Sequence, residues 1–201
     1  IPYASTALPI HAGPAAKFYH RAKGFVHYKA LAKLTGGRVG TRNRGAYVRS
    51  LSWKEVSDLL KVVEVVTGLV ARLAAREVGR GRLRAEFERV GADLLAFEPL
   101  GDSQAFMDKR RDFYDVLIRA ADNVELARMM PLMQIHLLRL QFQTRITPRD
   151  RRRQFEEYRA ITATVLAGDG IRAERMTRLH IRRTRLSISR MPPEAFGAAP
   201  R

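Results

Sequence analysis

From Ser52 onward the apolar positions recur at intervals of three and four, the spacing of one helical face. Ser52-Trp-Lys-Glu55 has the form of a capping box and opens the first such run. Val56, Leu59, Leu60, Val63, Val66, Val70, Leu73 and Ala74 carry it to about residue 77, with Gly79 and Gly81 as breakers. A second helix is predicted over 82–97, ended by Pro99-Leu-Gly101, and a third from Asp102 or Ser103 to Asp122-Asn123. A fourth spans 124–145, bent at Pro131. Thr147-Pro148 sets a capping residue before a proline at the first helical position and opens a fifth helix to Ala167. Gly168-Asp169 closes that helix and caps a sixth, which runs to about 190 and stops at Met191-Pro-Pro193. No strand pattern follows residue 52. The expected fold is mainly α, an antiparallel all-α bundle of about six helices over 51–192 with a C-terminal tail over 193–201. Residues 1–50 differ in texture. Gly and Pro punctuate them, a short helix fits 26–35, and two β-prone pieces over 39–48 flank Asn43-Arg44-Gly45 as a hairpin.

Projected at about 100° per residue, the third helix gathers Phe106, Phe113, Leu117, Ala120 and Ala121 on one arc, with Arg110 and Tyr114 in its middle. The fifth gathers Phe155, Ile161, Val165 and Leu166 around Tyr158. The sixth gathers Ala173, Met176, Leu179, Ile181 and Ile188 around His180, and turns Arg175, Arg178, Arg182 and Arg185 the other way. Four polar heads on three helices therefore face inward. A buried arginine demands a carboxylate or an anionic ligand. One reading is a ligand cavity between the helices. The plainer one is a core histidine, two tyrosines with satisfied hydroxyls, and an arginine that bonds backbone or reaches outward along its stem.

Charge sharpens this picture. The 201 residues carry 37 Lys and Arg against 20 Asp and Glu, a net +17, with no cysteine. Residues 1–51 hold nine basic side chains and no acid, which reads as an electrostatic footprint for a polyanion (nucleic acid, an anionic membrane surface or an acidic protein) or, more plainly, as a basic tail. Without cysteine there is no disulfide, thiol nucleophile or thiolate metal site, which suits a reducing, cytoplasmic setting. No apolar run is long enough to span a bilayer, so no membrane span is expected, and no membrane is counted among the expected partners. Catalytic signatures are missing: no G-x-x-x-x-G-K-[ST], no G-x-G-x-x-G and no G-x-S-x-G. No Glu-x-x-His occurs, and His11, His20, His27, His136 and His180 form no metal-binding pair. The inward residues offer no carboxylate for acid–base work, so no catalytic residues are expected and the chain is not read as an enzyme.

Several segments carry a family resemblance. Arg44-Gly-Ala-Tyr-Val-Arg-Ser-Leu-Ser-Trp-Lys-Glu-Val-Ser-Asp-Leu-Leu60 resembles the wing and linker of GntR-family transcriptional regulators of the FadR type. Phe113-Tyr-Asp-Val-Leu-Ile-Arg-Ala-Ala-Asp-Asn123 resembles the F-H-x-x-L-x-x-A-x-x-N of their FCD domain. Glu157-Tyr-Arg-Ala-Ile161 resembles E-H-R-A-I, and Ala167-Gly-Asp169 through Met176 to His180 resembles A-G-D…M-x-x-H. The resemblance implies a homodimeric, ligand-responsive regulator. Its winged helix-turn-helix would bind a double-stranded DNA operator, and a small effector in the bundle would change that binding. Many FCD domains hold a metal at four positions, which here are Arg110, Tyr114, Tyr158 and His180. Only His180 keeps its ligand type, and a guanidinium repels a cation. We therefore expect no metal and no other cofactor, and an anionic effector held by Arg110 with the tyrosines as hydrogen-bond donors.

The resemblance assigns 1–50 to a winged helix segment. His27-Tyr-Lys-Ala-Leu-Ala-Lys-Leu34 would be its recognition helix, with Lys29, Lys33, Arg38, Arg42 and Arg44 on DNA and Gly45 allowing close approach. Ile1–Val26 does not resemble the first helices of a reader domain, and only 43 residues precede Arg44. This segment is accordingly expected to be partial or divergent, with a true start that is missing or processed. A different class of function stays open: a small-molecule-binding helical sensor or scaffold without competent DNA binding.

Overall fold

A computed structural model describes residues 51–98, 104–130, 142 and 145–197. Among them are six α-helices and no strand: α1 Trp53–Gly79, α2 Arg84–Leu95, α3 Gln104–Ala120, α4 Val124–Met129, α5 Pro148–Leu166 and α6 Gly170–Ser189. The expected all-α bundle is the fold observed. The helix over 26–35, the hairpin over 39–48, and with them Lys29, Lys33, Arg38, Arg42, Arg44 and Gly45, lie outside the described residues, as does most of 131–144. No described helix is long and apolar enough to cross a membrane.

Helix starts follow the capping chemistry read from the chain. At α1 the Ser52 hydroxyl accepts from the Glu55 amide, while the Glu55 carboxylate accepts from the Ser52 amide at 2.8 Å. Asn123 caps α4, Thr147 caps α5 with Pro148 in its first turn, and Asp169 caps α6. Helix ends depart more from expectation. Gly79 is the last helical residue of α1 rather than a breaker, and the chain turns instead at Gly81, whose φ is +99°. Leu83 takes a left-handed conformation, φ 51°, so α2 begins at Arg84 and not at 82.

The centre of the bundle is the antiparallel pair α1 and α6. Glu64 meets Arg182, Gly68 meets Arg178, and Gly170 meets the Arg72 carbonyl. α5 runs antiparallel to α6 across a short turn and also touches α1. α2 lies antiparallel to α3, with Asp93 beside Lys109 and Glu86 beside Arg119. Aromatic rings tie α2, α3 and α5 together: Phe87 on Phe113 at 5.2 Å, Phe106 on Phe155 at 5.5 Å, Phe113 on Tyr158 at 5.7 Å. The described part of the C-terminal segment, to Gly197, packs on the body. Phe196 lies edge-on to Trp53, and the Gly197 amide donates to the Leu51 carbonyl at 3.0 Å.

The end of α1 touches the α5–α6 turn backbone to backbone. Gly168 has φ +73°, a conformation that disfavours side chains, and a Cβ placed on Gly79 would lie 2.9 Å from the Gly168 Cα. Ala at a helical glycine ordinarily stabilises by up to about 1 kcal/mol. At residue 79 we expect the reverse, because the obstacle is backbone and cannot swing aside. Gly79→Ala should lower Tm by several degrees, read by circular dichroism, and an unchanged or raised Tm would show that the two backbones are not in contact.

Candidate functional site

Three helices converge on one buried cluster. α3 contributes Arg110 and Tyr114, one turn apart. α5 contributes Gln154, Glu157 and Tyr158, and α6 contributes His180. Arg110 is 6% exposed and His180 3%. The Arg110 Nε–H donates to the Tyr158 hydroxyl at 2.8 Å, and the guanidinium carbon stands 4.9 Å from the centroid of the Tyr114 ring, in cation–π range. The Tyr158 and His180 rings are 4.8 Å apart. The four residues singled out from the sequence thus form one continuous group. Their roles differ in detail. Tyr158 accepts from Arg110 through its oxygen and keeps its own proton to donate, while Tyr114, half-buried, offers Arg110 its ring face.

One residue of this cluster escaped the face projection, and it corrects the expectation that no inward carboxylate exists. Glu157 is 7% exposed, and its Oε2 lies 2.7 Å from His180 Nδ1. A carboxylate only accepts, so Nδ1 is the protonated nitrogen in this pair. The other oxygen, Oε1, accepts from Arg183 at 3.2 Å and faces the Arg153 Nε at 3.5 Å. Glu157 therefore spans from the buried imidazole to two arginines at the surface. It was hidden because it neighbours Tyr158 on the edge of the α5 arc, where a charged side chain reads as solvent-facing. A usable signal existed: a buried imidazole on a facing helix needs an acceptor, and Glu157 is the acid of the segment that resembles E-H-R-A-I.

A cavity of about 50 Å³ opens beside the cluster. Arg110 and His180 line one end, and Asp150 and Ser187 the other, with Gln154 and Thr184 between. Leu60 and Val63 of α1, Ile181 and Ile188 of α6, and Phe142, Ile146 and Met191 supply apolar wall. The periodicity explains the polar rails. Asp150, Gln154 and Tyr158 recur at four on α5, and His180, Thr184 and Ser187 at four and three on α6.

The donor set at the four positions is a guanidinium, two phenols and one imidazole whose Nδ1 is engaged by Glu157. Among the described residues no group of three or more His, Asp and Glu side chains is arranged to hold a metal ion. A guanidinium is cationic and cannot ligate, so these residues do not fit a divalent metal.

No curated protein matches the chain. The FCD domain pattern matches residues 58–183, well over half of the 201 residues. FCD domains occur in GntR-family regulators, where they serve as ligand-binding regulatory domains and not as catalytic ones. The match runs from α1 into α6 and takes in all four residues of the cluster together with Glu157: the chain belongs to the FCD domain family.

Proposed function

We propose that this chain is a DNA-binding transcriptional regulator of the GntR/FadR type, cytoplasmic and without catalytic activity, whose helical bundle binds a small anionic effector. The observation that carries the effector reading is the buried Arg110, which faces a cavity from the position where relatives are expected to carry an acidic metal ligand. Its fixed positive charge takes over the attraction that a cation would exert on a carboxylate or phosphate. Tyr158 braces the guanidinium by accepting from the Arg110 Nε, and Glu157 holds the His180 ring in place. Arg110→Met should weaken binding of short carboxylates to the purified full chain at least about tenfold in an NMR titration, consistent with loss of a charge-assisted hydrogen bond. Stoichiometric metal in the same preparation, read by atomic emission, would contradict the metal-free site.

DNA binding is supported by the nine basic and no acidic side chains of residues 1–51. Lys29, Lys33, Arg38, Arg42 and Arg44 are the residues proposed to contact DNA, with Gly45 allowing close approach at a wing tip. Selection from random duplexes should enrich a palindrome, and affinity for it should fall steeply with salt as counterions are released. Failure to enrich any sequence, with binding indifferent to salt, would favour the alternative of a sensor or scaffold.

The homodimer of this reading has a candidate face on α1. Val62, Val65 and Leu69 form a stripe at three- and four-residue spacing, and Val65 is 53% exposed. Asp58 stands at one end of the stripe, and Arg72 and Arg76 at the other. An antiparallel two-fold pairing with a second copy puts the three apolar residues at the centre. Val65→Glu should shift the chain from dimer to monomer in analytical ultracentrifugation without altering its helical circular dichroism.

A further inference from the structure

The two ends of the cavity differ in charge, and that difference narrows the ligand. One end carries Arg110 and His180. The other carries Asp150, two turns before Tyr158 on α5 and so about 12 Å from it along the helix. Asp150 is fully engaged. Its Oδ1 accepts from the Ser187 hydroxyl at 3.1 Å and pairs with Arg153 at 2.8 Å, and its Oδ2 accepts from the Thr147 hydroxyl at 2.9 Å. Burial pushes this carboxyl up, but the hydrogen bonds from Thr147 and Ser187 and the Arg153 charge outweigh burial and hold it below the ordinary aspartate range. It is a carboxylate at neutral pH. Its presence also consumes these neighbouring donors, because Thr147, Ser187 and Arg153 all direct a hydrogen toward it. A second anionic group on a ligand would meet there a carboxylate already paired with Arg153, and donors already spent.

Resting on the reading that Arg110 binds an anion, we infer that the cavity selects a compact monocarboxylate with an apolar body, and that Asp150 rejects a second acidic group. The carboxylate meets Arg110. The hydrocarbon lies along Leu60, Val63, Ile181 and Ile188, which offer it no polar partner. The size agrees: a water needs about 10–15 Å³ of such space, so the cavity holds about four waters or a ligand of about four to six non-hydrogen atoms.

The test is an NMR titration of the full chain with butyrate and succinate, which share a four-carbon skeleton and differ by the second carboxylate. From acetate to butyrate each methylene should tighten binding about fourfold. Succinate should bind at least about tenfold more weakly than butyrate. Asp150→Asn should narrow that gap to within about threefold while leaving butyrate binding in place. Asp150→Ser, which also removes the charge, repeats the comparison should the Asn variant fold poorly. Succinate binding the wild-type chain as well as butyrate overturns the inference, and so does a gap that persists in folded Asp150 variants. In those outcomes Arg110-dependent butyrate binding keeps the anionic-effector reading intact. Absence of carboxylate binding, or binding insensitive to Arg110→Met, overturns both.

Discussion

The antiparallel contact between α1 and α6 is the constraint on which the rest of this bundle depends. It is made close by small residues and tied by charge. Gly68 and Gly170 admit the Arg178 stem and the Arg72 carbonyl at distances that a Cβ would obstruct. Glu64, 6% exposed, is met by both the Nε and an Nη of Arg182 and lies 3.9 Å from Arg178. A buried carboxylate without such partners costs several kcal/mol, so the pair fixes the register of the two helices even where it adds little net stability. That register decides which residues α1 presents to the cavity. Slid by a turn, Leu60 and Val63 would no longer face Ile181 and Ile188.

The same logic governs the buried group. Arg110, Tyr158, His180 and Glu157 form a chain of contacts from α3 through α5 to α6: a hydrogen bond from Arg110 to Tyr158, a ring contact from Tyr158 to His180, and a hydrogen bond from His180 to Glu157. Charge is distributed along it: a cation at the cavity, an imidazole between, a carboxylate behind, and Arg183 and Arg153 beyond. Polar residues packed this way do not report a function by themselves. They gain one because the chain of contacts ends at a cavity with apolar walls, and because the group at that end is a permanent cation.

Much of this was readable from the residues. Periodicity located the helices, and capping residues located their starts, because Ser52, Asn123, Thr147 and Asp169 act through local backbone geometry that needs no tertiary information. Helix ends were less legible. Gly79 continues α1 because the backbone of the α5–α6 turn packs against it, and Leu83 is held left-handed, and neither fact is local. The inward face of each helix was also legible, and it brought out Arg110, Tyr114, Tyr158 and His180 before any resemblance was considered. Glu157 and Glu64 were not, since a single helix projection treats every acid as solvent-facing. Arg178 and Arg182 were correctly placed off the core face, yet their long stems carry the charge back to Glu64. Side-chain reach, not helix position, decided those contacts.

The glycine contact at the end of α1 has a mechanical consequence. Gly79 against Gly168 leaves no side chain between two backbones, so this end of the helix is pinned. The cavity residues Leu60 and Val63 lie 16 to 19 residues from the pin, and Trp53 lies 26 residues away. In a rigid helix displacement grows with distance from the fulcrum. A tilt of α1 that moves its cavity wall by a given amount moves its first turn by about one and a half times as much. Such a tilt would also displace the Glu64–Arg182 and Gly68–Arg178 contacts, so the cavity wall and the register of α1 on α6 move together.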